Sequence, residues 1–148
     1  MSLLETLNSD LIVALKKGDK VRVEVIRGLK SDIKYKEIDK REPLTEEDVL
    51  GVLAAAAKRR RDSIEQFRQG GRDDLVLKES SELEIITSYL PQQLSDEELQ
   101  EIVGATLLET GAKTPADLGK VMKEIMPKVK GRADGNRVRQ ILALRLSG

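Results

Sequence analysis

Residues 119–139 read GKVMKEIMPKVKGRADGNRVR, and this segment combines a predicted helical shape with a strong positive charge. Its apolar residues recur at three- and four-residue spacing, which predicts a short helix that stops at Pro127. A basic loop follows, and Asp134 is predicted to open the last helix. Cations gathered before a helix N-terminus favour a phosphate, because the first-turn N–H groups and the helix dipole both attract an anion. The segment therefore predicts an anion-binding site.

The candidate binding residues are the cations of this segment, which lie in the basic loop and in the helices on either side of it. Residues 111–148 carry nine Lys or Arg against three Asp or Glu, while the whole chain is neutral, and this excess favours an anionic partner. The alternative is that these side chains only solvate a small helical unit, since charged surfaces are common. The candidates are Lys120, Lys123, Lys128, Lys130, Arg132, Arg137 and Arg139.

The composition favours helices and restricts the chemistry. Aromatic residues make up 2% of the chain and charged residues 35%, with aliphatic side chains supplying most of the apolar content. Strands prefer aromatic and β-branched residues, so an all-α protein is predicted. The absence of Cys and His excludes thiolate metal sites and removes the commonest general base. No signal peptide and no apolar run of spanning length occurs, so we expect a cytosolic protein with no membrane partner.

Proline and glycine breaks divide the chain into seven predicted helices. The strongest break is LPQQL at residues 90–94, because proline cannot continue a helix and restrains the residue before it. The segment 95–98, SDEE, follows as a capping box that starts a new helix. The sequence thus predicts an all-α fold with two helical subdomains: an N-terminal four-helix unit at 1–90, a hinge at 91–93 and a C-terminal three-helix bundle at 94–148.

Two predicted helices each place one charge on an otherwise apolar face. In the third helix this residue is Arg60; in the fourth, predicted to run from about Asp73 to Leu90, it is Glu79. A lone buried charge is costly, whereas a paired one is tolerated. We expect Arg60 and Glu79 to form a structural ion pair that fixes the helix register, with Glu82 as a substitute partner. The alternative is that Arg60 belongs to a ligand site.

Three segments resemble the YqeY family. They read KRRRDSIEQFRQGGRDDL (58–75), ELEIITSYLPQQLS (82–95) and LGKVMKEIMPKVKGRADGNRVRQIL (118–142). The last is also similar to the motif that ends the tail of the B subunit of the glutamine-dependent tRNA amidotransferase (GatB). The resemblance covers nearly the whole chain, and it implies an all-helical fold in two parts.

The same resemblance implies an association with tRNA amidation, in which glutamyl- or aspartyl-tRNA is amidated with glutamine as nitrogen donor. YqeY-like proteins are commonly described as having this amidotransferase, or carbon–nitrogen ligase, activity. The resemblance does not include the catalytic region of the B subunit, and the chain has no recognisable glycine-rich serine signature and no P-loop. No catalytic residue, metal or cofactor is therefore assigned, and whether the chain is an enzyme stays open.

The function expected from these observations is that of a tRNA-binding accessory module that uses the seven cations. Its expected partners are tRNA and the amidotransferase or aminoacyl-tRNA synthetase proteins that act on it. The alternative is a helical protein–protein adaptor without affinity for nucleic acid.

Overall fold

The computed structural model describes residues 1–147, in which it contains seven α-helices and one short 3₁₀ turn. No β-strand occurs among these residues, so the all-α prediction is confirmed. The helices are α1 (Leu3–Lys17), α2 (Lys20–Lys40), α3 (Glu46–Gln69), α4 (Asp73–Thr87), α5 (Asp96–Thr110), α6 (Leu118–Val129) and α7 (Gly135–Ser147), and the 3₁₀ turn is Pro115–Asp117. They separate into two compact units, with α1–α4 in Met1–Pro91 and α5–α7 in the residues from Gln92 onward.

The first unit is built around an aliphatic core in which α3 and α4 pack along their lengths. Val21 shares the four-residue spacing of Val25, Leu29 and Ile33 in α2, yet its side chain is 45% exposed. Residues four apart drift by about 40° around a helix, so Val21 lies outside the arc that faces the core. The buried residues of this core are Leu7, Val25, Ile26, Leu29, Ile33, Val49, Leu53, Ala56, Ala57 and Ile86.

The helices α3 and α5 begin at complete capping boxes. In α3, the Thr45 hydroxyl accepts a bond from Asp48 N at 3.1 Å, and Asp48 Oδ2 accepts one from Thr45 N at 3.0 Å. Lys40 also donates to this carboxylate, and this bond together with the one from Thr45 N lowers the pKa of Asp48 to about 2. Ser95 and Glu98 repeat the arrangement at the start of α5. These local bonds set where each helix starts.

The second unit closes over its own aliphatic core between α5, α6 and α7. The prediction that the sixth helix stops at Pro127 is wrong, because α6 continues to Val129. Proline removes one backbone N–H, yet the last turn still closes with a 2.9 Å bond from Lys130 N to Met126 O. Val129 has no exposed surface, and its burial holds this turn in the helix.

The helix α4 ends at Thr87, before its predicted end at Leu90. Thr87 Oγ1 donates to Glu84 O at 3.1 Å, and Ser88 Oγ donates to Ile85 O at 2.6 Å. Side-chain bonds of this kind compete with the helical pattern, so the chain turns here.

The turn after α4 is tied to α1 by Tyr89. The Tyr89 hydroxyl donates to Asp10 Oδ2 at 2.6 Å. Partial burial and this bond raise the pKa of Tyr89 to about 12, against a smaller opposing effect of Arg22. The neutral phenol is therefore the form that the fold stabilises.

Replacing Tyr89 with Phe should lower the free energy of unfolding at neutral pH by about 1 kcal/mol, the usual net contribution of one hydrogen bond. Because the pKa rises from 10 to about 12 on folding, this advantage of the wild type is present below pH 10 and is lost as the pH approaches 12. Urea unfolding across this pH range measures it. The control is Tyr35→Phe, whose side chain is 73% exposed and which should cause no loss. A Tyr89→Phe difference that does not vary with pH would contradict the assignment.

Candidate nucleic-acid interface

The loop between α6 and α7 is held by the segment that leads into α5. Gly131 has a φ of 75°, a left-handed conformation that favours glycine. Gln93 Nε2 donates to Gly131 O at 2.8 Å, and Leu94 N donates to Arg132 O at 2.8 Å. Two backbone carbonyls of the basic loop are thus fixed by residues that precede α5. The loop is a constrained part of the second unit.

The N-terminus of α7 already has an anion of its own. Asp134 Oδ1 accepts a bond from Asn136 N at 3.1 Å, and Asp134 O accepts one from Val138 N at 3.1 Å. A phosphate placed at the same N–H groups would meet the Asp134 carboxylate, since both seek the positive end of the helix dipole. An anionic ligand of this segment would therefore have to be held by side chains rather than by the helix end.

The candidate cations Lys120, Lys128, Arg132 and Arg137 contact groups within the second unit. Lys128 Nζ lies 2.8 Å from Glu109 Oε2 and 3.1 Å from Thr106 Oγ1. Lys128 therefore ties α6 to α5. The other three contacts are Lys120 Nζ to Thr110 O at 3.3 Å, Arg132 Nε to Gln92 O at 3.4 Å and Arg137 to Asp96 Oδ1 at 3.6 Å.

The remaining candidates are exposed. Lys123 and Arg139 form no ion pair with any of residues 1–147, and Lys130 caps the C-terminal end of α6. Arg137 and Arg139 are two positions apart, which places them about 200° apart around α7. The seven cations thus do not converge on one point, and their role in binding stays a prediction.

The charged residues on the apolar faces of α3 and α4 meet. Arg60 Nε lies 3.4 Å from Glu79 Oε2 and 3.1 Å from Glu82 Oε2. The side chain of Glu82 is 10% exposed and that of Glu79 is 16% exposed. Neither contact has hydrogen-bond geometry, because Arg60 Nε and Glu79 Oε2 have no hydrogen-bond partner. The cluster is therefore a largely electrostatic contact that fixes α3 against α4.

The net charge of each sequence segment does not reveal a row of cations in α2. Residues 1–90 carry 17 Lys or Arg and 18 Asp or Glu, so their sum hides any local excess. The available signal was spacing, since every seventh residue lies on nearly the same side of a helix. The row consists of Lys20, Arg27, Lys34 and Arg41.

Within residues 1–147 no group of three or more acidic side chains is arranged to hold a metal ion. The same residues include no helix that is both long and apolar enough to span a bilayer.

The comparison with known families decides the assignment. The YqeY model, described as Yqey-like protein, matches residues 4–146. This chain belongs to the YqeY-like family. The resemblance of its three motif segments to YqeY is thereby confirmed.

The curated relatives of this YqeY-like chain bear the name "Altered inheritance of mitochondria protein 41, mitochondrial". The protein of Lachancea thermotolerans is 39% identical over 74% of this chain and 60% of its own length. That of Kluyveromyces lactis is 40% identical over 58% of this chain and 47% of its own length. That of Saccharomyces cerevisiae is 35% identical over 83% of this chain and 68% of its own length. The chain thus spans about half to two thirds of these relatives.

These names correct one expectation. A cytosolic location was expected from the absence of a signal peptide, whereas the relatives are named as mitochondrial proteins. The cytosolic assignment is wrong on this finding, because hydropathy and N-terminal composition are weak guides to location within a cell.

Replacing Arg60 with Met should lower the free energy of unfolding by about 1–3 kcal/mol, because it leaves two poorly exposed carboxylates without a cation. Adding Glu79→Gln and Glu82→Gln should recover part of this loss. Urea unfolding of each variant measures both effects. Arg59→Met is the matched control, since Arg59 pairs with Asp32 on the exposed surface and should cost under about 1 kcal/mol. Equal losses for Arg59→Met and Arg60→Met would contradict the structural role.

Proposed function

We propose that this YqeY-like protein is a tRNA-binding accessory module that assists tRNA amidation carried out by other proteins. The observation that carries the proposal is the positive charge of residues 111–148, which include nine Lys or Arg and three Asp or Glu. Residues 118–142 are similar to the tail of the amidotransferase B subunit, and this similarity supports tRNA as the anionic ligand. Phosphate neutralisation by side chains would supply most of the affinity.

The proposal leaves the chemistry to partners. The chain has no His and no Cys, so it lacks the side chains that most often act as general base or thiol nucleophile. Its three aromatic residues offer little base stacking, which favours recognition of RNA shape and backbone over sequence. Amidation of glutamyl-tRNA by the purified chain with glutamine and ATP, and no other protein, would contradict this division of labour.

The first test is the salt dependence of tRNA binding. Changing Lys123 and Arg139 to Gln should reduce the slope of log affinity against log salt by about 1.4–1.8, because each phosphate contact contributes about 0.7–0.9. These two positions are chosen because neither side chain is tied to an acid within residues 1–147. Fluorescence anisotropy with labelled tRNA over a salt series measures the slope.

The matched control for this test is Lys58→Gln with Arg68→Gln. It removes the same charge from side chains that already pair with Asp62 and Glu65. The slope should hardly change in this variant. A wild-type affinity that does not depend on salt, or equal slopes for the two double variants, would overturn the proposed site.

A second candidate is the protein–protein adaptor, which exposed leucines favour. The side chains of Leu108 in α5 and Leu144 in α7 are 86% and 73% exposed, so each offers apolar surface to a partner. Association with an amidotransferase or synthetase that survives nuclease treatment, together with no affinity for tRNA, would support the adaptor and reject the RNA-binding module.

We also propose that the two compact units are the predicted four-helix and three-helix subdomains. The two hydrophobic clusters share no residue, so each unit has a core of its own. Residues 92–148 expressed alone should therefore be helical by circular dichroism and unfold cooperatively in urea. A fragment without helical signal would contradict the subdomain assignment.

A further inference from the structure

The helix α2 and its C-cap carry four cations at intervals of seven residues: Lys20, Arg27, Lys34 and Arg41. Seven residues advance a helix by about 10.5 Å and return it to within about 20° of the same side. The row therefore extends about 31 Å along one side of the helix. All four side chains are exposed, and the half-buried Lys30 lies beside the row.

This row differs from the other basic segment of the first unit. In α3 three successive cations are paired, Lys58 with Asp62, Arg59 with Asp32, and Arg60 with Glu79 and Glu82. The cations of the row form no ion pair with any of residues 1–147. Between positions 20 and 41 the chain has eight Lys or Arg and four Asp or Glu. Glu24 and Glu37 lie three or four positions from the row cations, and the segment keeps a net charge of +4, which favours an anionic partner.

A groove adjoins the N-terminal end of the row. It is lined by apolar side chains of α1 and α2, among them Leu15 and Val23, and by the row cations Lys20 and Arg27, with Glu24 beside them. The cations thus border a concave apolar surface at this end of the row.

A stripe of uncharged residues runs along α2 about 100° around the helix from the row. Val21, Gly28 and Tyr35 follow one another at seven-residue spacing, and Ile38 adjoins them. Tyr35 is 73% exposed and Ile38 is 63% exposed. A Cβ added at Gly28 would touch nothing within 4 Å, so the surface is open at the centre of the stripe.

Tyr35 is the aromatic side chain that is available for stacking. Of the other two, Tyr89 donates to Asp10 and Phe67 is half-buried. An exposed aromatic ring beside unpaired cations is the arrangement on which unstacked RNA bases bind, the ring contacting the base and the cations contacting phosphates.

We propose that this face of α2 binds structured RNA, with the row of cations on the phosphate backbone and Tyr35 against an unpaired base. The length of the row, about 31 Å, requires a polymeric anion rather than a single nucleotide. The inference rests on the proposed tRNA-binding function and adds to it a second contact surface in the first unit, independent of Lys123 and Arg139.

The test uses the full chain and two probes, a labelled tRNA and a short blunt RNA duplex. The row variant is Lys20→Gln, Arg27→Gln and Lys34→Gln; its control is Lys58→Gln, Arg59→Gln and Arg68→Gln. The row variant should bind both probes at least tenfold more weakly with a reduced salt slope, whereas the control should stay within about twofold of the wild type. Circular dichroism verifies that each variant is folded.

Tyr35→Ala distinguishes stacking from simple charge attraction. It should weaken tRNA binding about five- to tenfold and leave duplex binding unchanged, because the blunt duplex offers no unpaired base. Tyr35→Phe, which keeps the ring, should restore tRNA binding. Equal effects of Tyr35→Ala on both probes would overturn the stacking assignment.

The outcomes separate this inference from the proposed function. If the Lys123 and Arg139 variant weakens tRNA binding and the row variant does not, the α2 surface is rejected and the accessory function stands. If the chain binds the duplex through the row but has no affinity for tRNA, the α2 surface stands and the tRNA function is rejected. Binding of the row to vesicles of acidic phospholipid, without binding of either RNA, would overturn the inference.

Discussion

The packing of α3 against α4 depends on an ionised side chain between the two helices, which needs oppositely charged partners. Arg60 lies on the face of α3 that meets α4, and it is accommodated because Glu79 and Glu82 approach it from α4. Around this cluster, aliphatic side chains such as Leu53 and Ile86 are buried and exclude water. The first unit is therefore ordered by one electrostatic constraint acting together with apolar burial.

The consequences of this packing reach the end of the first unit. Because α4 is held in register, the turn that follows it brings Tyr89 to Asp10 of α1. A single side-chain bond between residues 79 positions apart thus connects the first and last helices of the unit. The second unit uses a comparable device, in which Gln93 and Leu94 bond to the loop carbonyls of Gly131 and Arg132. In both units, hydrogen bonds between residues distant in sequence fix the position of a turn or loop that aliphatic packing alone does not fix.

The basic residues fall into two groups once their neighbours are known. Lys128 and Arg137 lie within ion-pair distance of acids of α5. Lys123, Arg139 and the row on α2 have no such partner within residues 1–147. The net charge of residues 111–148 identified Lys128 and Arg137, and also Lys123 and Arg139. It did not identify the α2 row, because the residues around that row in the sequence include acids.

By itself, the sequence determined the helical class and the starts of α4, α5 and α7. Capping boxes at Thr45 and Ser95 and the proline break at Pro91 act through neighbours within a few residues, so local patterns suffice to find them. The continuation of α6 past Pro127 was not readable from the sequence, because it depends on the burial of Val129 in a core formed by distant residues.

The apolar periodicity predicted that Arg60 meets Glu79 or Glu82, whereas only the tertiary structure decided the other long-range charge pairs. Glu109 meets Lys128 from 19 positions away, and Asp32 meets Arg59 from 27 positions away. No local pattern shows such partners, because they come together only when helices pack. For the same reason the surface available to an anionic ligand became visible only in the folded chain.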